Sequence, residues 1–197
     1  LRALGLDEVW WLVSPGNVLK SADGMASLPA RYASARRAAR GAPIKVSAIE
    51  AEMGTRYTAD TLAALTRRYP RHRFVWLMGA DNLAQFHRWR DWRAIARAMP
   101  IAVVARPGYD ACAMASPAMV WLRRWRRRHG QYRLAKDGFG ARRSTPALFQ
   151  LRFDPDPMSA TAIRAADPDW HRRIPAGPLC DMVTNRPVRS FPRKGIS

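Results

Sequence analysis

The chain has 197 residues, of which 48% are apolar and 25% charged; this is about one domain's worth, enough to bury roughly 70% of the unfolded surface. No apolar run nears the roughly 20 residues that cross a bilayer, and the composition is not that of a disordered chain. The net charge of +19, from 34 Lys and Arg against 15 Asp and Glu, attracts polyanions: nucleic acid, phospholipid headgroups or phosphorylated small molecules.

The opening "LRALGLDEVWWLV" has no basic n-region and no small-residue cleavage site, so it is read as the continuation of a fold rather than as a signal peptide. Cys112 and Cys180 have neither CxxC spacing nor a histidine at ligand distance in sequence. They are expected to be free thiols in a reducing cytoplasm, with no resident metal.

In chain order, β-branched or aromatic runs at residues 8–13, 44–49, 74–78, 101–105 and 148–153 read as strands, mostly buried on both faces. Helix-like stretches lie between them at 27–40, 58–69, 92–99 and 117–128, and stop at Gly41, Pro70, Pro100 and near Gly130. Strand alternating with helix implies an α/β fold with a doubly wound, mostly parallel sheet. Ligands of such sheets bind beyond the carboxyl ends of the strands, which directs attention to residues 14–20, 52–58, 79–83, 106–109 and 157–164. The alternation stops after Trp170, so residues 1–170 are read as one domain and 171–197 as a basic Pro/Arg-rich tail, partly ordered.

Much of the positive charge lies in "WLRRWRRRHGQYR", residues 121–133. One reading is an RNA-binding arginine stripe; the commoner one is an amphipathic helix with Trp121, Leu122 and Trp125 inward and solvated arginines.

The segment "FVWLMGADNLAQFHRWRDW" places Gly79 and Asp81 directly after a strand. There a glycine permits close approach of a ligand, and the aspartate either holds a ribose hydroxyl or caps the next helix. In "MSATAIR", Ser159 and Thr161 precede a short helix and Arg164 follows one turn on, a pattern that aims hydroxyls, N–H groups and a guanidinium at phosphate; Ser159 as a simple N-cap is the alternative.

Taken together, "LDEVWWLVSPGNVLK", "TRYTADTLAAL", "LMGADNLAQFHRW", "VARPGY" and "MSATAIR" resemble the bacterial nicotinate-nucleotide adenylyltransferases, from Leu1 to about Trp170. YTxDTL combined with GxD and a tryptophan ten residues past the glycine is the specific part. The resemblance implies a Rossmann-like sheet of the nucleotidyltransferase type, ATP and nicotinate mononucleotide as substrates, and Mg²⁺ accompanying ATP. It implies that Trp89 stacks on the nicotinate ring and that Thr58 meets the ring carboxylate. Asp81 falls on the adenylate ribose side, Lys20 on the phosphates, and Ser159, Thr161 and Arg164 on the triphosphate. Trp92 is read as packing.

The family's GGxFxPxHxGH turn does not occur in the sequence, and His72, His87, His129 and His171 are never two residues apart. The resemblance therefore places Leu1 at the end of the family's first helix, with a strand, a turn and most of a helix unrepresented and with catalytic residues unassigned. Val18 replaces a usual proline and Ala160 a frequent serine. His87 is expected to be exposed and incidental. The competing expectations are an impaired nucleotide-binding remnant and a basic nucleic-acid-binding protein; homo-oligomerisation is left open.

Overall fold

The computed structural model describes residues 2–16, 25–106, 108–127, 145–151, 165–173 and 179–189. The chain forms two compact units, one of Leu1–Leu6 with Tyr57–Pro157 and the other of Asp7–Arg56 with Met158–Ser197.

The second unit is built on β1 (Val9–Leu12) and β2 (Ile44–Ser47), which pair in parallel with Val9 opposite Ile44 and Leu12 opposite Ser47. The connecting helix α1 (Leu28–Ala38) starts where Ser27 caps it, its hydroxyl accepting from the Ala30 N–H at 3.4 Å, with Pro29 in the first turn. Gly41, at φ 79°, takes the left-handed conformation after the helix. The helix turns Leu28, Tyr32 and Ala35 onto the sheet, where they join Val13, Ala39, Val46 and Ala48 in one apolar cluster. The run read as a strand over 44–49 ends at Ser47, and Ile49 begins the short helix α2 (Ile49–Met53).

Residues 179–189, assigned by the sequence reading to the tail, pack onto this unit, with Asp181 the buried residue among them. Leu179 and Val188 pack on the apolar cluster, and Cys180 and Pro187 form an antiparallel bridge. Asp181 is only 4% exposed and its carboxylate is well supplied: it accepts from Ser47 Oγ (3.1 Å) and from the N–H groups of Ala48 (2.5 Å), Val183 and Thr184 (both 2.9 Å). A buried carboxylate is costly unless so bonded. The fully buried Tyr32 hydroxyl makes the other tie, lying 3.1 Å from the Val46 carbonyl and 3.0 Å from the Cys180 carbonyl, and accepting from the Met182 N–H at 3.0 Å. Burial is the main cause that pushes the Tyr32 phenol up to about 12.

In the first unit β3 (Trp76–Gly79), β4 (Ile101–Val104), β6 (Leu148–Leu151) and β5 (Arg126–Arg127) form a parallel sheet in the order β3-β4-β6-β5. Ile101, Ala102 and Val103 are all buried, so both faces of β4 are covered, as the continuous apolar run requires. On one face Ala102, Ala147, Phe149 and Leu151 pack with Leu4.

The helices of this unit are α3 (Thr58–Arg68), α4 (Ala80–Gln85), α5 (Trp92–Ala98), α6 (Asp110–Ala115) and α7 (Pro117–Leu122). α3 buries Thr61, Leu62 and Leu65 at helical spacing, and α5 buries Ile95 and Ala96 before Pro100 leads into β4. α3 packs against α5, and α4 against α6 and α7.

The basic helix expected over 117–128 is shorter. It is α-helical only to Leu122, tightens to a 3₁₀ turn over Arg123–Trp125, and gives Arg126 and Arg127 to the sheet opposite Leu148 and Phe149. Its inward face agrees with the amphipathic reading: Leu122 is fully buried, while half-buried Trp121 packs at a tilt against Trp125 at 4.4 Å and meets Trp92 edge-on at 5.2 Å. Arg124 lays its guanidinium over Trp125 at 4.1 Å, Arg97 covers Trp121 at 5.7 Å, and Arg93 covers Trp92 at 4.7 Å. These arginines shield a ladder of indoles while their heads stay in water.

Candidate functional site

The site-bearing segments of the first unit begin at the carboxyl end of β3. Gly79 ends that strand and α4 begins at once, with Gly79 itself as the N-cap residue and no side-chain cap. Asp81, in the first turn, is therefore not the cap. One oxygen, Oδ2, accepts from Arg106 Nη1 at 2.8 Å. The other, Oδ1, is shielded from solvent and accepts no hydrogen bond.

The need for glycine at 79 comes from this carboxylate. Gly79 has an ordinary extended backbone, φ −76° and ψ 160°, so its conformation does not demand glycine. A Cβ there, however, would stand 2.3 Å from Asp81 Oδ1. The nearest atom to that position is the protein's own carboxylate oxygen.

Arg106 follows β4 and opens the turn to α6; its backbone N–H donates to Asp110 Oδ1 at 3.3 Å. Register explains the meeting of Asp81 and Arg106, because Gly79 and Val104 are paired neighbours on β3 and β4, so the residues just beyond them leave the sheet side by side.

Thr58 is the first residue of α3, after Tyr57 in the N-cap position with extended backbone and no side-chain cap. The first amide groups of such a helix point their donors outward, and the end carries partial positive charge. Trp89 leaves the 3₁₀ turn Phe86–Arg88 in extended conformation, its ring edge-on to buried Phe86 at 5.4 Å. Trp92 packs on the same Phe86 at 5.7 Å, in keeping with the packing role expected for it.

Arg90 ties these two segments together. Its Nη2 lies 2.5 Å from Asp60 Oδ1 in the first turn of α3, its Nε is 3.5 Å from Asp91 Oδ2, and its Cζ sits 4.0 Å from the centre of the Tyr57 ring. Each contact on a half-exposed side chain is worth about 1 kcal/mol or less. Acting together on a planar guanidinium, they fix its orientation.

His87 is half-buried rather than exposed, and its Nδ1 is shielded without a hydrogen bond. Cys112 and Cys180 are free and exposed. Among the described residues no group of three or more His, Cys, Asp and Glu is arranged to hold a metal ion, and no helix is long and apolar enough to cross a membrane. Lys20, Ser159, Thr161 and Arg164 lie outside the described residues.

Arg90, Tyr57, Asp60 and Arg106 were not singled out by the sequence reading, although all four stand in or beside its quoted motifs. The available signal was position: Arg106 follows a strand's carboxyl end, and Arg90 adjoins Trp89.

A family model described as cytidylyltransferase-like matches residues 1–166, most of the chain. The chain belongs to the cytidylyltransferase-like family. Within it, the chain is 65% identical over 188 residues to a probable nicotinate-nucleotide adenylyltransferase of Erythrobacter litoralis, covering 95% of this chain and 84% of that protein. It is 50% identical over 169 residues to the protein of that name from Ruegeria pomeroyi, covering 84% and 75%. A third, from Parvibaculum lavamentivorans, is 63% identical over 123 residues, which span 62% of this chain and 61% of the relative. This cytidylyltransferase-like chain has the parallel strands and intervening helices that the α/β reading expected.

Proposed function

We propose that the protein is a nicotinate-nucleotide adenylyltransferase: it transfers AMP from ATP to nicotinate mononucleotide, giving nicotinate adenine dinucleotide and pyrophosphate in NAD biosynthesis. The observation that carries the reading is the 65% identity to a relative of that name across nearly the whole chain. The helix N-terminus at Thr58 and the carboxylate of Asp81 just beyond β3 support it.

The phosphate of the mononucleotide attacks the α-phosphorus of ATP in line, one P–O bond forming as the bond to pyrophosphate breaks. No covalent enzyme intermediate is needed, so catalysis rests on aligning the two phosphates and offsetting charge between them. Lys20, Ser159, Thr161 and Arg164 are the groups assigned to that task, and Mg²⁺ enters as part of the ATP substrate.

The nicotinate ring is a pyridinium bearing a carboxylate. Trp89 offers an indole face to the cation, an attraction of about 0.5–2 kcal/mol. Thr58 and the α3 N-terminus offer a hydroxyl, N–H donors and partial positive charge to the carboxylate. Asp81 is assigned to the adenylate ribose side: Oδ2, held by Arg106, keeps a second lone pair for a hydroxyl, whereas the shielded Oδ1 would have to turn outward to accept one. The cytoplasm is the expected compartment.

The test is pyrophosphate release with ATP and nicotinate mononucleotide, using protein expressed from its complete reading frame. Formation of the dinucleotide in step with pyrophosphate supports the reading. Release that ignores the mononucleotide, or none at all, overturns it. RNA binding that weakens steeply with salt, in place of turnover, would favour a polyanion-binding protein.

A further inference from the structure

The turn that carries Trp89 has little regular structure of its own. Over Phe86–Trp92 the backbone passes from a 3₁₀ turn to an extended residue at Trp89 (φ −76°, ψ 142°) and then to a left-handed residue at Asp91 (φ 52°). Within it, the Trp89 N–H donates to the Phe86 carbonyl at 3.0 Å and the Trp92 N–H to the Trp89 carbonyl at 3.3 Å. Buried Phe86 anchors the start of the turn and meets the Trp89 ring edge-on at 5.4 Å, while the half that follows Trp89 is tied to α3 through Arg90.

We infer that Arg90 is a positioning residue for ring recognition, locking the Trp89 turn onto the first turn of α3 so that one pyridine acid nucleotide meets both. The inference rests on the adenylyltransferase reading above and deepens it.

Two contacts converge on Arg90. Its guanidinium spans 30 residues of sequence to reach Asp60, and its Cζ stands 4.0 Å from the centre of the ring of Tyr57, the residue before Thr58. It thereby fixes the residues on either side of Thr58 to the residue beside Trp89. It also answers an electrostatic problem, because Asp60 stands in the first turn of α3, where a carboxylate would repel the incoming ring carboxylate. Pairing with Arg90 offsets that charge. Planarity matters for the ring contact and the fork for the ion pairs, so lysine is an incomplete substitute.

The experiment compares wild type, Arg90→Ala, Arg90→Lys and Arg90→Ala/Asp60→Asn. In Arg90→Ala the KM for nicotinate mononucleotide should rise at least fivefold while the KM for ATP stays within twofold, and Arg90→Lys should fall between. The double variant should recover part of the acid-over-amide preference, since it removes the unpaired Asp60 charge, but not the full affinity. Hydrogen exchange of backbone amides 57–61 and 86–92 should quicken in Arg90→Ala, with the β3 and β4 amides unchanged. Exchange unchanged in those two segments, or both KM values moved by one common factor, overturns the inference. If wild type turns over no pyridine nucleotide, the functional reading fails first, and exchange alone then decides whether Arg90 locks the turn.

Discussion

Asp81 and Arg106, 25 residues apart in sequence, meet at 2.8 Å where β3 and β4 end side by side. The pair is partly exposed, Arg106 more than Asp81, and such surface pairs contribute only about 0–1 kcal/mol to stability. Its value is to hold a carboxylate in one rotamer. Arg106→Ala is expected to change the unfolding midpoint by no more than a few degrees while raising the KM for ATP roughly tenfold, about 1.4 kcal/mol. Steady-state kinetics beside thermal unfolding checks this; a loss of stability with unchanged kinetics would make the pair structural.

Gly79→Ala and Asp81→Ala should raise the KM for ATP by a similar factor. The added methyl would stand 2.3 Å from Asp81 Oδ1, so the carboxylate must leave its place. Because the Gly79 backbone is ordinary, alanine introduces no φ penalty of its own. A Gly79→Ala enzyme with wild-type affinity for ATP would show that Asp81 is free to move without consequence.

Trp89→Ala should raise the KM for nicotinate mononucleotide by tenfold or more and leave that for ATP nearly unchanged, as expected for the loss of a cation–π platform of about 0.5–2 kcal/mol plus its apolar contact. Equal effects on both substrates would place Trp89 among the packing residues with Trp92. The same kinetics with the nicotinamide nucleotide test Thr58: a full negative charge at the α3 N-terminus favours the acid, so kcat/KM should be higher for nicotinate mononucleotide. Preference for the amide would rule out that placement.

The Tyr32 phenol is pushed up to about 12 from 10.0, chiefly by burial. The folded state thus favours the protonated form. Its contribution to stability is fully present below pH 10, where the unfolded chain would begin to ionise, and is lost as pH rises through about 12. Tyr32→Phe should be less stable at neutral pH, because it removes the hydroxyl's bonds to Val46, Cys180 and Met182. The gap from wild type should narrow between pH 10 and 12. Unfolding midpoints of both proteins across that range decide it, and a constant gap would contradict the burial of the phenol.

The five four-residue strands and the inward face of the basic segment were legible in the sequence because they depend on local spacing: apolar runs, helical periodicity and the Gly or Pro that ends each element. The motifs were legible for the same reason, since GxD and YTxDTL lie on continuous stretches. What the tertiary structure decided are the pairings across distance. Asp81 could have capped its own helix, and only the β3–β4 register gives it to Arg106 instead. Arg90 adjoins Trp89, but so does Arg88, and only the meeting with Asp60 of α3 and with Tyr57, its N-cap residue, sets Arg90 apart. Residues 179–189 lack periodicity and read as a tail, yet Asp181 reaches Ser47 across 134 residues and is buried there. Local composition reports how a segment would fold by itself. It cannot report which distant donors make it favourable to bury a carboxylate, because that energy exists only once both partners have left water together.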